Sequence, residues 1–421
     1  MSYLLKMAWR NILRQRSRTL LSLLAIAAGV VAVIFTKGWI DGMMASLEGY
    51  TINLTSGHVR LVRPEYRVKE RLLSLAYPLG EEGPGYARLV EEIRELPGVA
   101  AAMGRIRFGL LLAPFSGEKQ LALQGVGADL AAEDRVAHLG RFLKGEGEGR
   151  LPRPGRQEIL LGRTVLRKLG LKVGDKVNAV FTTSFGSFKI ATFRIVGAMA
   201  SGLMYLDEKT AYIPLDVAMN LLELPEAVTE IVVFTDRVEK TRQLQKTIET
   251  YLRQKGLRYA AIPWTEHNEI MAYIERSKGL YSLIYLAFVV LASFVVFNTM
   301  MMIVSERTRE IGMLSALGFA PGGIRRLFLA ESLLVAAGGS LLGVFWGGAV
   351  NWVLSRVGFD LSAYMETTAP GMMLAPRIYP SFKVIDLFFA ALLGVVVTMI
   401  AAYLPARRAA RLHPTEALRM I

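Results

Sequence analysis

Four stretches of the chain stay apolar long enough to cross a lipid bilayer, which takes about 20 residues. They are residues 19–40, 280–304, 327–354 and 384–404. The second carries no charge at all, and the others contain only Lys37, Glu331 and Asp386. No such stretch occurs between residues 41 and 278. The pattern predicts an α-helical membrane protein with four transmembrane helices and one large domain between spans one and two. Span one is not read as a cleaved signal peptide. Cleavage after the small-x-small Ala25-Ile26-Ala27 would leave a hydrophobic region of about five residues, below the usual ~7–15.

Within the insert the periodicity changes repeatedly. Residues 58–62, 99–112, 120–125, 188–196, 230–234 and 257–262 have strand character. Residues 85–96, 163–169 and 238–255 have helical spacing. A left-handed glycine at Gly170 is expected to end the second of these helices, and Gly174-Asp175 is a turn feeding a further strand. The run 144–156 (KGEGEGRLPRPGR) is a loop by composition. The insert is therefore predicted to be α+β in two subdomains, about 41–118 with 228–265, and about 119–227 inserted between them. From Glu266 to Val304 a continuous helix would run about 58 Å at 1.5 Å per residue. That is twice a bilayer core of about 30 Å, so its first half would form a stalk, with Gly279 as hinge or start.

Composition sharpens this picture. The 421 residues are 52% hydrophobic, with no cysteine and a net charge of +14; the mean hydropathy is +0.35. A disordered chain and a disulfide-stapled one are excluded. The charge is uneven: residues 1–18 carry +5, residues 305–326 carry +2 and residues 405–421 carry +3, whereas residues 41–278 hold 33 basic against 29 acidic side chains. By the positive-inside rule both termini and the 305–326 loop face the cytoplasm of the inner membrane, and the insert and the 355–383 loop lie outside. The basic residues are thus orientation signals, and nucleic acid is not an expected partner. Residues 2–16 place Leu5, Trp9, Ile12 and Leu13 on one helical face with Lys6, Arg10 and Arg14 off it, an amphipathic entry helix for an anionic leaflet.

Catalytic chemistry is not visible. There is no G-x-x-x-x-G-K-[ST] loop, no G-x-S-x-G elbow and no H-E-x-x-H. His58, His138, His267 and His413 are scattered, and no spacing singles out a metal site. No catalytic, cofactor or metal residue is therefore expected. Gly339, Gly343 and Gly347 repeat at four-residue intervals in span three, the spacing that lets helices approach closely in lipid. Glu331, one turn into that span, is five residues from Arg326 and is expected to form an interfacial ion pair.

The most specific segment is the loop between spans two and three. It predicts a short amphipathic helix with Glu306, Arg307, Arg309 and Glu310 charged, Ile311, Met313, Leu314 and Leu317 apolar, and Gly318 ending it. This segment resembles the coupling-helix region of the FtsX/MacB-type permease family, membrane subunits of ABC exporters that include the lipoprotein-releasing Lol permeases. The E-R-x-x-E-I-G-x-x-x-A-x-G pattern stands here as Glu306, Arg307, Glu310, Ile311, Gly312, Ala316 and Gly318. The continuation through Phe328 and Glu331 is similar as well. The ending P-A-x-x-A-x-x-x-x-P-x-E-A-L-R is matched by Pro405, Ala406, Ala409, Pro414, Glu416, Ala417, Leu418 and Arg419, with Arg411 between.

The resemblance implies a type VII-like ABC architecture. Two permease chains, as a homodimer or paralogous heterodimer, would pair with a separate ABC ATPase subunit dimer that carries the ATP and Mg. Closing of the ATPases would act on Glu306, Arg307, Glu310, Ile311, Gly312, Leu314, Leu317 and Gly318, and on the tail around Pro405, Arg411, Pro414 and Glu416. The external domain would then move a lipoprotein, lipid or small amphiphile by mechanotransmission, with room for an extracytoplasmic partner protein. Ser56-Gly57-His58-Val59 resembles a segment of the lipoprotein-releasing members. The competing reading is a membrane-anchored signalling or scaffold protein that regulates a cell-envelope enzyme.

Overall fold

A computed structural model describes residues 2–14, 16–81, 85–115, 119–143, 147–201, 204–266, 301–317, 319–361 and 377–411, with parts of 283–299. The chain divides into two compact units. One is Met1–Met44 with Ser277–Asp360 and Arg377–Ile421; the other is Ala45–Arg276 with Leu361–Pro376. Gly279, the first half of the expected stalk and much of residues 280–304 lie outside the described residues.

The first unit is helical. Among the described residues, three helices are long and apolar enough to cross a membrane: Arg16–Ser56, Pro321–Val357 and Val384–Ala409. Their sequence explains them: each holds a long, almost uncharged apolar run, and Pro321 stands in the first turn of its helix, where a missing N–H costs nothing. The last helix continues through Pro405, beyond the apolar stretch that ends at Leu404. There the small, buried Ala402, Ala406 and Ala409 pack beside Ile311 and Ile324.

Gly339, Gly343 and Gly347 lie against the first long helix. A Cβ on Gly343 would stand 2.6 Å from Val30 Cβ and 2.8 Å from the Ala27 carbonyl. One on Gly339 would stand 2.8 Å from Ile26 Cβ, and one on Gly347 3.1 Å from Val31 Cα. Three successive turns thus bring the two backbones close together, leaving no room for a Cβ at Gly339 or Gly343 and little at Gly347.

The second unit is α+β. One sheet runs in the order β10 (Ala260–Pro263), β1 (Val59–Val62), β9 (Glu230–Phe234), β2 (Ala101–Pro114), β3 (Leu121–Ala128), β8 (Thr210–Pro214), β5 (Glu158–Gly162), β7 (Phe188–Met199), β4 (Glu148–Gly149). The remaining strand, β6 (Lys176–Thr182), pairs with both β2 and β7. β2 is long enough to pair with β9 through its first half and with β6 through its second. Val59, Leu61, Ile106, Phe108, Ile231 and Val233 alternate onto one face, where helices Tyr86–Arg94 and Thr241–Gln254 contribute Leu89, Ile93, Leu244 and Ile248 to the main core.

Two local signals appear where expected. Helix Arg163–Leu169 ends on Gly170 at φ 68°, and Gly174 sits at φ 104° before β6. Composition suggested only loop for residues 144–156, yet Glu148–Gly149 pairs with Ala198 and Gly197 of β7. A two-residue edge strand has too little pattern to read.

Candidate functional site

The short loop helix Thr308–Ala316 follows a helical stretch, 301–306, that breaks at Arg307. The break turns Arg307 inward. Its Nη1 donates to both Glu331 carboxylate oxygens, at 3.1 and 3.3 Å, and both residues are buried. Asn11 of the entry helix (Ser2–Arg14) donates its Nδ2–H to Glu331 Oε1 at 2.5 Å. One carboxylate therefore ties together the entry helix, the loop and the helix Pro321–Val357.

Outside this centre, Arg18 pairs with Glu306, and Arg14 Nη1 lies 3.4 Å from Glu310 Oε1. The Arg14 pair is exposed and adds little stability. It does, however, connect the entry helix to the loop helix a second time.

The ion pair expected for Glu331 is present, but with Arg307, not Arg326. Five residues along a helix turn the side chain by about 140°, so Arg326 faces away. Arg307 is thereby withdrawn from the surface offered to a partner. Ile311 is also buried, with Ile324, Phe328 and Ala406, and Gly312 is buried beside it. By contrast Glu306, Arg309 and Glu310 are exposed, as are Met313 (52%) and Leu317 (84%). The apolar face expected for this helix is thus split: Ile311 points into the unit, while Arg309, Met313 and Leu317 form an outward stripe at i, i+4, i+8.

Leu314 lies in the helix, but its side chain, like Gly318, Pro414 and Glu416, is outside the described residues. Pro405 is buried and Arg411 exposed. The entry helix divides its expected apolar face. Ala8 is buried and Ile12 packs on the helical core, leaving Trp9 (56%) and Leu13 outward. Asn11 carried no signal in the sequence, because a polar residue on a basic amphipathic helix reads as solvated.

No group of His, Asp and Glu among the described residues could hold a metal ion. The loop helix is anchored at its start by a buried ion pair and turns Arg309, Met313 and Leu317 away from the unit. Helical membrane unit, loop helix and inserted α+β domain together define a permease-type membrane subunit with a large extracytoplasmic domain. The MacB-like periplasmic core domain matches residues 19–251 and the FtsX-like permease C-terminal domain residues 282–414. The chain belongs to the FtsX/MacB-type permease family.

Similar proteins include the lipoprotein-releasing system transmembrane protein LolC of Xylella fastidiosa, 24% identical over 94% of this chain and 92% of that one. The macrolide export ATP-binding/permease protein MacB of Hyphomonas neptunium is 25% identical over 98% of this chain and 60% of its own length. The solved periplasmic region of MacB from Actinobacillus actinomycetemcomitans covers 55% of this chain and 97% of that one, at 14% identity and a TM-score of 0.36.

Proposed function

We propose that this chain is the permease subunit of an ABC exporter, non-catalytic itself, that couples ATP hydrolysis by a separate ATPase subunit to movement of an extracytoplasmic substrate. The observation that carries the proposal is the Arg309–Met313–Leu317 stripe on a helix anchored just before its first residue to Glu331 through Arg307. A soluble partner that grips the stripe would move the entry helix and the helix Pro321–Val357 with it. ATP and Mg belong to the partner, and this chain holds no cofactor.

In this reading the chain crosses the inner membrane four times with both termini cytoplasmic, and two copies, identical or paralogous, share an ATPase dimer. The insert is organised as two subdomains. Its substrate class is a lipoprotein or lipid, or else a small amphiphile or peptide; the full-length similarity to a protein named for lipoprotein release favours the first. Lipid contacts the outer helix faces.

Affinity purification of the tagged chain from its native membranes, followed by ATP hydrolysis in nanodiscs, tests the proposal. An ABC ATPase is expected to co-purify, with hydrolysis that the chain alone does not show. A cell-envelope enzyme in place of an ATPase would support the scaffold reading instead. Topology is accessible because the chain has no native cysteine: an impermeant thiol reagent applied from outside should label Ser187→Cys, and labelling of Ser17→Cys or Ser315→Cys would contradict the orientation.

A further inference from the structure

We infer that Arg105 and Arg107 are positioning residues that lock the end of the first long helix to the centre of the external sheet, so that the two move as one body. The inference rests on the mechanotransmission reading above for its purpose, but not for its geometry.

The first long helix does not stop at Tyr50; it widens into a π-helical end, Thr51–Ser56, closed by Gly57 at φ 64°, whose N–H donates to the Ile52 carbonyl at 2.9 Å. The last carbonyls of any helix lack intrahelical donors and are normally met by water or by caps. Here the Thr55 carbonyl accepts from two guanidiniums, Arg105 Nη1 at 2.7 Å and Arg107 Nη2 at 2.5 Å. Positive charge at a helix C-terminus is favourable, and charged donors make the stronger hydrogen bonds.

Neither arginine is free to swing. Arg105 gives Nε and Nη2 to the two oxygens of Glu133, at 2.5 and 2.7 Å. Arg107 Nε donates to Glu230 Oε1 at 2.8 Å, and its backbone N–H to Thr229 Oγ1. Arg60 closes the network, donating to Glu230 at 3.1 Å and to both oxygens of Glu70. Three arginines face three glutamates, so no net charge is left buried. Burial pushes the Glu230 carboxyl up, but Arg107, Arg60 and Arg105 outweigh that and hold it below the usual carboxylate range.

Ion pairing alone would need only the contacts to glutamate. One further N–H from each fork converges on a single main-chain oxygen, a use that a lysine ammonium cannot reproduce. An apolar grip lies alongside. Ile52 packs with Met103 of β2, Val232 and Phe234 of β9, and Ala132. Both grips fall on the same face of β2 and β9, the strands at the heart of the sheet, and β2 extends onward to β6. A displacement of the helix end is therefore delivered to the longest strand without slack.

The test compares wild type with Arg105→Lys/Arg107→Lys, which keeps every charge but loses the forks. Spin labels at Ala45→Cys and Lys176→Cys, both exposed, report by pulsed electron paramagnetic resonance in nanodiscs with the ATPase bound. Wild type should give one narrow distance distribution, unmoved by ATP and vanadate. The double lysine variant should broaden it about twofold already without nucleotide, at unchanged far-ultraviolet circular dichroism and ATP hydrolysis. A distribution as narrow as wild type in both states overturns the inference. Should the lysine variant not fold, Arg105→Met/Glu133→Leu removes one charge pair as a unit and is read the same way. Absence of ATPase binding would refute the functional reading, while the nucleotide-free comparison still decides the lock.

Discussion

Arg307 and Glu331 are 24 residues apart in sequence and 3.1 Å apart in space, buried together where the loop helix meets the helix Pro321–Val357. Breaking one side leaves a charge in the interior, which costs about 3–5 kcal/mol. Glu331→Ala should therefore lower the melting temperature of the detergent-purified chain strongly. Arg307→Met/Glu331→Leu, which removes both charges, should recover most of the loss. If the single and double variants melt alike, the pair is not coupled.

The glycine contacts are equally definite. Gly343→Leu must push aside Val30 and the Ala27 carbonyl, and overpacking of this kind costs about 1–3 kcal/mol. Gly49→Ala is the control, since a Cβ there meets nothing within 4 Å, and alanine in a helix should be about 0.5–1 kcal/mol more stable than glycine. Thermal melting of both variants checks the contrast in sign.

His58 supplies a pH dependence. Its Nδ1 accepts the Thr235 N–H at 3.3 Å, and burial lowers its pKa from 6.5 to about 4. The unfolded chain then binds a proton that the folded chain refuses between those values. Stability contributed by neutral His58 is accordingly full above pH 6.5 and falls as pH drops toward 4. Melting of wild type and His58→Gln across this window should show the slope flattened in the variant.

Much of this arrangement was legible because its causes are local. The apolar stretches that begin at 19, 327 and 384 need only composition. The Gly170 cap and the Glu230–Phe234 strand need only neighbours in sequence. The glycine repeat announced close packing, although not that its partner is the helix bearing Ile26 and Val30. What stayed hidden depends on pairs far apart in the chain. Arg60, Arg105 and Arg107 look like ordinary surface charges in a nearly neutral insert, because their acids lie between 10 and 170 residues away. Glu331 seemed to belong with Arg326 by proximity, but helical geometry separates them. The loop helix could not be oriented from sequence either: Ile311, Met313 and Leu317 are all apolar, and only packing decides which one is withdrawn.

In the proposed complex the outward stripe of the loop helix receives the ATPase. Met313→Asp and Leu317→Asp place charge on exposed positions that the fold does not use, so the purified chain should melt as wild type does. Binding of the co-purified ATPase, measured by titration onto nanodiscs that hold each variant, should weaken by about tenfold or more, as when an apolar contact is replaced by a buried charge. Unchanged binding by both variants, with the chain folded, would contradict the assignment of this helix as the coupling element.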